Sequence, residues 1–330
     1  MKRSILLTFL LLAPTAIAQT KPAGWTPPRT PDGKPDISGM FTFRTITPLQ
    51  RPSELAGKET LNAEEAAEFE EYRTRRLNRD LFDPETGAPW AGYQSRKEGG
   101  VLSYNEFWYE RGKELTSDNR TSLIVDPPDG RIPYKPETRK RLSERRKELT
   151  SGWGDSHEDR SLADRCLMGF NSGPPMVSGS YNNNVQILQT PGYVVIFNEM
   201  VHNTRIIPTD GQPHGEIPQW IGDSRGRYEG DMLLIDTINF KRETSLSGSS
   251  ANTHLVERFT RVDPDTVLYE FTVEDSTNYT RPWTAVMPMR RTDGPIFEYA
   301  CHEGNYGLPN ILAGQREKER AEAEATAQKR

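Results

Sequence analysis

The amino-acid sequence predicts a mainly β fold, an antiparallel meander or barrel accompanied by an N-terminal extended arm and two peripheral helices. Seven or eight short apolar segments, separated by turn residues, follow Cys166, and this spacing is typical of antiparallel β proteins. Apolar and polar side chains alternate through residues 267–274, as in a sheet with one buried face. The 25 Pro and 26 Gly residues indicate many turns and long irregular connections.

Residues 1–18 have the features of a cleaved secretory signal peptide. The segment starts with Lys2 and Arg3, continues as a short apolar run, and ends in small residues at Ala16 and Ala18. The apolar run is shorter than the roughly 20 residues that a membrane-spanning helix needs, and no cysteine at the cleavage point offers a lipid attachment site. We therefore expect a periplasmic or secreted protein without a membrane anchor.

The next two regions are an extended arm at residues 19–60 and a helical and irregular region at 61–165 that packs on the barrel. Pro and Gly are dense in the arm, and regular elements do not tolerate that composition. In the second region, residues 62–79 have an amphipathic pattern with Asn62 as N-cap, which predicts a helix. A second helix is predicted from Pro136, a residue favoured in the first helical turn, to residue 149.

A β-barrel domain is predicted at residues 166–312, followed by a charged tail at 313–330. The tail has no apolar stripe, so it is either a solvated helix or disordered. The strands expected within the barrel domain cover residues 185–189, 193–197, 204–208, 227–237, 254–262, 267–274, 283–290 and 296–301.

The composition excludes some functional classes. A mean hydropathy of −0.75 excludes a polytopic membrane protein. The formal net charge of −5 argues against nucleic acid and against docking on anionic lipid. A small-molecule substrate or ligand remains the expected partner.

The two cysteines, Cys166 and Cys301, are expected to form a disulfide in an oxidising compartment. The alternative is a pair of buried thiols, which pack like small apolar groups. A nucleophilic cysteine is the least favoured interpretation because an exposed thiolate would oxidise outside the cytoplasm.

Residues 220–237, WIGDSRGRYEGDMLLIDT, resemble a large family of secreted bacterial proteins of unknown function. Further motifs at 206–214, 281–284 and 298–306 carry the same resemblance. The resemblance implies secretion and no particular chemistry. More loosely, the Tyr-Glu-Gly-Asp turn at 228–231 and the meander look like lipocalin-type (calycin) barrels, whose strands enclose a ligand cavity.

Three of the five histidines, His202, His254 and His302, lie in polar segments of the strand-rich half. Histidine suits proton transfer near neutral pH and is also the commonest metal ligand. Arg258 shares a strand face with His254, where a guanidinium would stabilise a developing anion. A bridged Cys301 would hold His302 in place.

Tyr279 and Arg281 complete the candidate catalytic set, because one cavity fed by several strands could gather them with His202, His254 and Arg258. For each of these residues the alternative is a purely structural role. Strand histidines are often structural, and Arg258 and Arg281 could form surface ion pairs of small energetic value.

No cofactor is predicted, although a transition metal held by His202, His254 and His302 with Glu199 or Glu303 is an alternative. The sequence lacks the metalloprotease, nucleophile-elbow and dinucleotide-binding motifs. We therefore predict a lyase or hydrolase that uses His/Tyr acid–base chemistry with Arg anion stabilisation on a small carbohydrate-derived or aromatic substrate. The alternative is a non-catalytic lipocalin-like carrier.

Overall fold

The computed structural model describes residues 24–78, 80–81, 106–150, 154–241, 246 and 248–328. The predicted signal peptide at 1–18 lies outside these residues. No helix of the described part is both long and apolar enough to cross a membrane.

Ten antiparallel strands form one sheet that curls into a nearly closed barrel, so the predicted fold class is confirmed. The strand order is β5-β4-β3-β1-β10-β9-β8-β7-β6, with β2 paired to β10. The end strands β5 and β6 lie against each other without a hydrogen-bonded ladder. The strands are β1 Gly39–Thr42, β2 Ile124–Asp126, β3 Asn184–Thr190, β4 Tyr193–Asn198, β5 Thr204–Pro208, β6 Asp223–Glu229, β7 Met232–Ile238, β8 His254–Arg261, β9 Thr266–Glu274 and β10 Trp283–Arg291.

The period-two pattern decides which side chains fill the barrel. In β8 the buried positions are Leu255, Glu257, Phe259 and Arg261, and the positions between them are partly exposed. Because alternate side chains point to opposite faces of a strand, His254 and Arg258 lie on the outer face.

In the described part of the chain three α-helices lie outside the barrel: α1 Ala63–Leu77, α2 Pro136–Thr150 and α3 Gly307–Ala327. The first two match the predicted helices. Asn62 caps α1: its side chain accepts from the Glu65 N–H at 2.9 Å, while the Glu65 carboxylate accepts from the Asn62 N–H at 3.0 Å. Helix α3 covers most of the predicted tail.

Two features differ from the predicted boundaries. The barrel takes β1 from the expected arm and β2 from the expected helical region: β1 pairs with β3 and β10, and β2 pairs with β10. Residues 296–300 form no strand. The Phe297 N–H donates instead to the carboxylate of Glu199, the residue after β4, at 3.0 Å.

The predicted disulfide between Cys166 and Cys301 is confirmed, with a sequence separation of 135 residues. It joins the segment that precedes β3 to the segment that follows β10. The two ends of the central β region are therefore covalently tied.

Candidate functional site

The structure does not bring the six predicted site residues into one cavity. His254 and Arg258 lie on the outer face of β8, whereas Tyr279 is buried inside. Arg281 is exposed before β10, and His202 and His302 lie in exposed turns.

His254 belongs to a chain of alternating imidazole and carboxylate groups on the outer face of the barrel. The His254 Nε2 atom lies 2.7 Å from the Asp236 Oδ2 atom, and the His214 Nε2 atom lies 2.8 Å from the Asp236 Oδ1 atom. The His214 Nδ1 atom faces Asp223 at 3.0 Å, and the His254 Nδ1 atom lies 3.6 Å from Glu274. One carboxylate thus orients two imidazoles.

The pKa values of this pair shift in opposite directions. The hydrogen bond to Asp236 raises the pKa of His254 above its ordinary value, against the opposing effect of burial. The hydrogen bond from His254 lowers the pKa of the Asp236 carboxyl. Both shifts favour the ion pair between a protonated His254 imidazole and an ionised Asp236 carboxylate.

Both predicted arginines form ion pairs with partners other than the histidines. The Arg258 Nη1 atom lies 3.0 Å from Glu270 and 3.4 Å from the Thr272 hydroxyl. The Arg281 Nη2 atom lies 2.7 Å from each oxygen of Asp126. These contacts correspond to the ion-pair alternative.

Tyr279 is buried in the hydrophobic core, where its ring packs against Tyr134 and Trp283. Burial raises its pKa strongly. A phenol in this environment stays protonated near neutral pH, so it cannot act as a base there.

His202 ends the turn that joins β4 to β5, and His302 follows the disulfide. Neither lies with His254. Among the described residues no group of three or more His, Cys, Asp or Glu side chains is arranged to hold a metal ion. The structure therefore gives no support to a site built from the three histidines.

The interior of the barrel contains a buried ion pair that the sequence did not predict. The Arg205 guanidinium from β5 donates to both carboxylate oxygens of Glu257 on β8, at 2.6 and 2.9 Å. The Tyr269 hydroxyl donates to the same carboxylate at 2.6 Å and accepts from the Met176 N–H at 3.1 Å. Arg205, Glu257 and Tyr269 are at most 1% exposed.

Side chains fill the barrel interior around this pair. Residues from five strands have no solvent-accessible surface, so no water-sized void adjoins them; they include Ile187, Ile196, Ile207, Leu233, Ile235 and Phe259. A carrier cavity of the lipocalin type is absent around these described residues.

A concavity lies at one end of the barrel, and we call it the end pocket. Its volume is ≈ 770 Å³, and α2, residues 158–170, residues 246–250 and residues 277–278 form its walls. Its apolar wall consists of Leu142, Leu162, Ala163, Met168, Phe170 and Leu246, and its uncharged polar side chains are Ser161, Ser249, Ser250, Thr277 and Asn278.

Polar contacts fix one wall of the end pocket. The Asn278 carbonyl oxygen accepts from Arg141 at 2.7 Å and from the Thr138 hydroxyl at 3.1 Å, and its amide donates to Asp275 at 2.8 Å. This side chain ties α2 to the turn after β9. The wall is thus held in place before any ligand arrives.

Comparisons with known proteins identify no family. No protein-family model matches the chain, and no curated protein matches it. A solved structure of a single-site mutant of the fluorescent protein UnaG is similar at 11% sequence identity and a TM-score of 0.24, over 40% of this chain and 86% of that chain. A likeness of this size adds nothing to the fold described above, and membership of a secreted bacterial family stays a prediction.

The sequence did contain a signal for the interior pair. Glu257 lies between Leu255 and Phe259 on the inward face of β8, and Arg205 lies two residues before the inward-facing Ile207. A charged residue within an apolar period-two pattern predicts a buried partner. The lining of the end pocket had no such signal because it comes from separate loops and a helix.

Proposed function

We propose that the protein binds a small amphipathic molecule of low net charge in the end pocket. The observation that carries this proposal is the combination of volume and lining. Ligand sites are typically concavities of roughly 300–1,000 Å³ with apolar walls and a few fixed polar groups, and the end pocket at ≈ 770 Å³ has both.

The charged groups at the rim support a ligand of low net charge. Three arginines there face four carboxylates. Each arginine already has a polar partner: Arg141 the Asn278 carbonyl oxygen at 2.7 Å, Arg145 the Glu148 carboxylate at 3.4 Å, and Arg160 the Asp164 carboxylate at 3.4 Å. The rim therefore offers little net attraction to an ion, and the apolar wall would supply most of the binding free energy.

The uncharged fluorescent probe N-phenyl-1-naphthylamine tests this proposal by fluorescence titration. Ala163→Trp places an indole in the end pocket without removing a side-chain hydrogen bond, so we expect at least a tenfold weaker affinity than for the unmodified protein. The matched control is Ala67→Trp on the exposed face of α1, which should bind normally. Equal affinity in both variants, or no probe binding at all, would contradict the proposal.

The proposed location is the periplasm or the extracellular medium. The Cys166–Cys301 disulfide supports an oxidising compartment, in agreement with the predicted signal peptide.

Acid–base catalysis at His254 is a second candidate function. Its support is the geometry: an imidazole that is oriented by the Asp236 carboxylate at 2.7 Å suits the acid–base chemistry of a hydrolase or lyase. Hydrolysis of p-nitrophenyl acetate and of p-nitrophenyl β-glucoside would be measured for the unmodified protein and for His254→Gln. Turnover that is absent, or that survives this substitution, would refute the catalytic role.

A further inference from the structure

A second concavity, which we call the cationic groove, lies on the outer face of β1 and β10. Its volume is ≈ 540 Å³, and residues 106–116 and the end of α1 form its other side. Five cationic side chains line it against three carboxylates; the cations are Arg44, Arg111, Lys113, Arg290 and Arg291, and the carboxylates are Glu106, Glu110 and Glu114.

Two of these cations have no carboxylate within ion-pair distance in the described part of the chain: Lys113 and Arg290. Both are exposed. The other three are paired: Arg44 with Glu110 at 2.6 Å, Arg111 with Glu106 at 2.9 Å and Arg291 with Asp265 at 3.9 Å. The excess positive charge is therefore local, because the whole protein carries a net charge of −5.

A row of aromatic rings continues from one edge of the groove. Tyr109 lines the groove beneath the Arg111 guanidinium, which lies 4.2 Å from the ring centroid. The Tyr181 ring follows at 6.0 Å, and beyond it Tyr299 is stacked at 6.3 Å. Phe170, 42% exposed, packs edge-on against Tyr181 at 5.3 Å.

We propose that the cationic groove and its aromatic row bind an acidic oligosaccharide, with sugar carboxylates on Lys113 and Arg290 and sugar rings on the tyrosines. Unpaired cations attract carboxylates. Flat aromatic faces present a negative π surface to the polarised C–H groups of a sugar ring. The groove carboxylates can accept hydrogen bonds from sugar hydroxyls.

A nucleic acid fits this lining less well. Single-stranded nucleic acid also combines stacked rings with negative charge. Its phosphodiester backbone, however, has in DNA no hydroxyl that could donate to Glu106, Glu110 or Glu114, whereas the sugars of an acidic oligosaccharide have several. Binding of that kind also depends on many phosphate contacts, whereas only two cations that line the groove lack a carboxylate partner among the described residues.

Isothermal titration calorimetry with an oligogalacturonate, at low and at physiological salt, tests the proposal on the full-length mature protein. We expect saturable binding that weakens as salt rises, and at least a tenfold loss of affinity in the double variant Lys113→Gln/Arg290→Gln. Tyr181→Ala should also bind more weakly. The double variant Lys140→Gln/Lys318→Gln is the matched control, since it removes two exposed cations from α2 and α3 and should bind normally.

Three results would overturn the proposal. One is no binding of the oligogalacturonate. Another is equal affinity in the groove variant and in the control variant. The third is tighter binding of single-stranded oligodeoxythymidylate, or of inorganic phosphate, than of oligogalacturonate. Because the probe-binding test uses an uncharged ligand and a different concavity, either proposal can fail while the other holds.

Discussion

Arg205 and Glu257 lie on strands β5 and β8, 52 residues apart in sequence, and meet inside the barrel with two hydrogen bonds. A bidentate guanidinium–carboxylate pair with a third donor from Tyr269 satisfies most of the polar atoms that burial would otherwise leave without partners. A single buried charge would be far more costly than the intact pair.

We expect Glu257→Gln to destabilise the fold by about 3–5 kcal/mol, because it leaves the Arg205 charge buried and uncompensated. Urea unfolding followed by tryptophan fluorescence measures this change. The control is Glu270→Gln, which removes the partially exposed partner of Arg258 on the outer face and should cost less than about 1 kcal/mol. Similar losses of unfolding free energy in the two variants would show that burial does not make the interior pair more costly to break than an exposed one.

The replacement of both partners is expected to recover stability. Arg205→Met together with Glu257→Leu removes both charges, and apolar substitution of a buried pair is often neutral or stabilising. The same unfolding measurement should place the double variant above Glu257→Gln. A double variant that is less stable than the single one would argue against a simple charge-burial penalty.

The His254–Asp236 pair predicts a pH-dependent contribution to stability. The raised pKa of His254 means that its contribution is complete below the unfolded value of about 6.5 and is lost as pH rises through the folded pKa. The lowered pKa of Asp236 means that its contribution is present above about pH 4 and is lost on further acidification. The free-energy difference between the unmodified protein and His254→Gln should therefore be largest near pH 5–6 and should shrink by pH 9.

The size of this effect is limited because the His254 side chain is 37% exposed. We expect less than about 1 kcal/mol, measured by urea unfolding at each pH. His302→Gln is the control, since His302 lies in an exposed turn, and this substitution should change the free energy of unfolding by less than about 0.5 kcal/mol. If the loss of unfolding free energy in His254→Gln grew toward pH 9, the assignment of an imidazolium–carboxylate pair to His254 and Asp236 would be refuted.

At the scale of elements, α1 forms because local signals agree. Asn62 and Glu65 close a capping box, and the acidic residues Glu64 and Glu65 lie at the positive end of the helix dipole. Ala66 and Phe69 face inward and pack against Ile46, Leu61 and Leu115.

Asn62→Ala should therefore cost about 1 kcal/mol, the usual value of a lost N-cap. Urea unfolding measures the change. Asn310→Ala, an exposed position inside α3, is the control and should be neutral or slightly stabilising, because alanine has the higher helix propensity. Loss of stability in the control but not in Asn62→Ala would contradict the capping role.

Strands show where local signals are insufficient. Residues 296–301 have β-forming side chains, yet residues 296–300 are irregular chain. Strand formation needs a free neighbouring edge, and β10 already pairs with β9, β1 and β2. The short strand β1 lies in the Pro-rich arm and was not predicted. A segment of modest β propensity can form a strand where a sheet edge is available to pair with it.

At the scale of the whole molecule, the disulfide closes the chain over the β region. The bridge spans 135 residues and holds the segments on which Asn305 and Asp164 meet, where the Asn305 amide donates to the Asp164 carbonyl at 2.8 Å. Cross-links over long segments restrict the unfolded chain most strongly.

We expect the double variant Cys166→Ser/Cys301→Ser to lose about 3–5 kcal/mol, the value for a bridge that closes a loop of more than about 100 residues. The unmodified protein treated with a reducing agent should show the same loss, and the double variant should not respond to that agent. Labelling of two free thiols in the unreduced, unfolded protein would contradict the bridge itself.

The sequence alone predicted the fold class, helices α1 and α2 and most strands, because these depend on short-range periodicity and capping. It favoured a Cys166–Cys301 bridge over two buried thiols because the chain has only two cysteines. Only the tertiary structure decided that His254 lies on the outer face of β8 and that His202 and His302 lie apart from it. Period-two alternation assigns alternate residues to the two faces of a strand, but it does not say which side chains of other strands lie beside them. The Arg205 partner of Glu257 and both concavities follow from contacts between residues far apart in sequence, which no local pattern specifies.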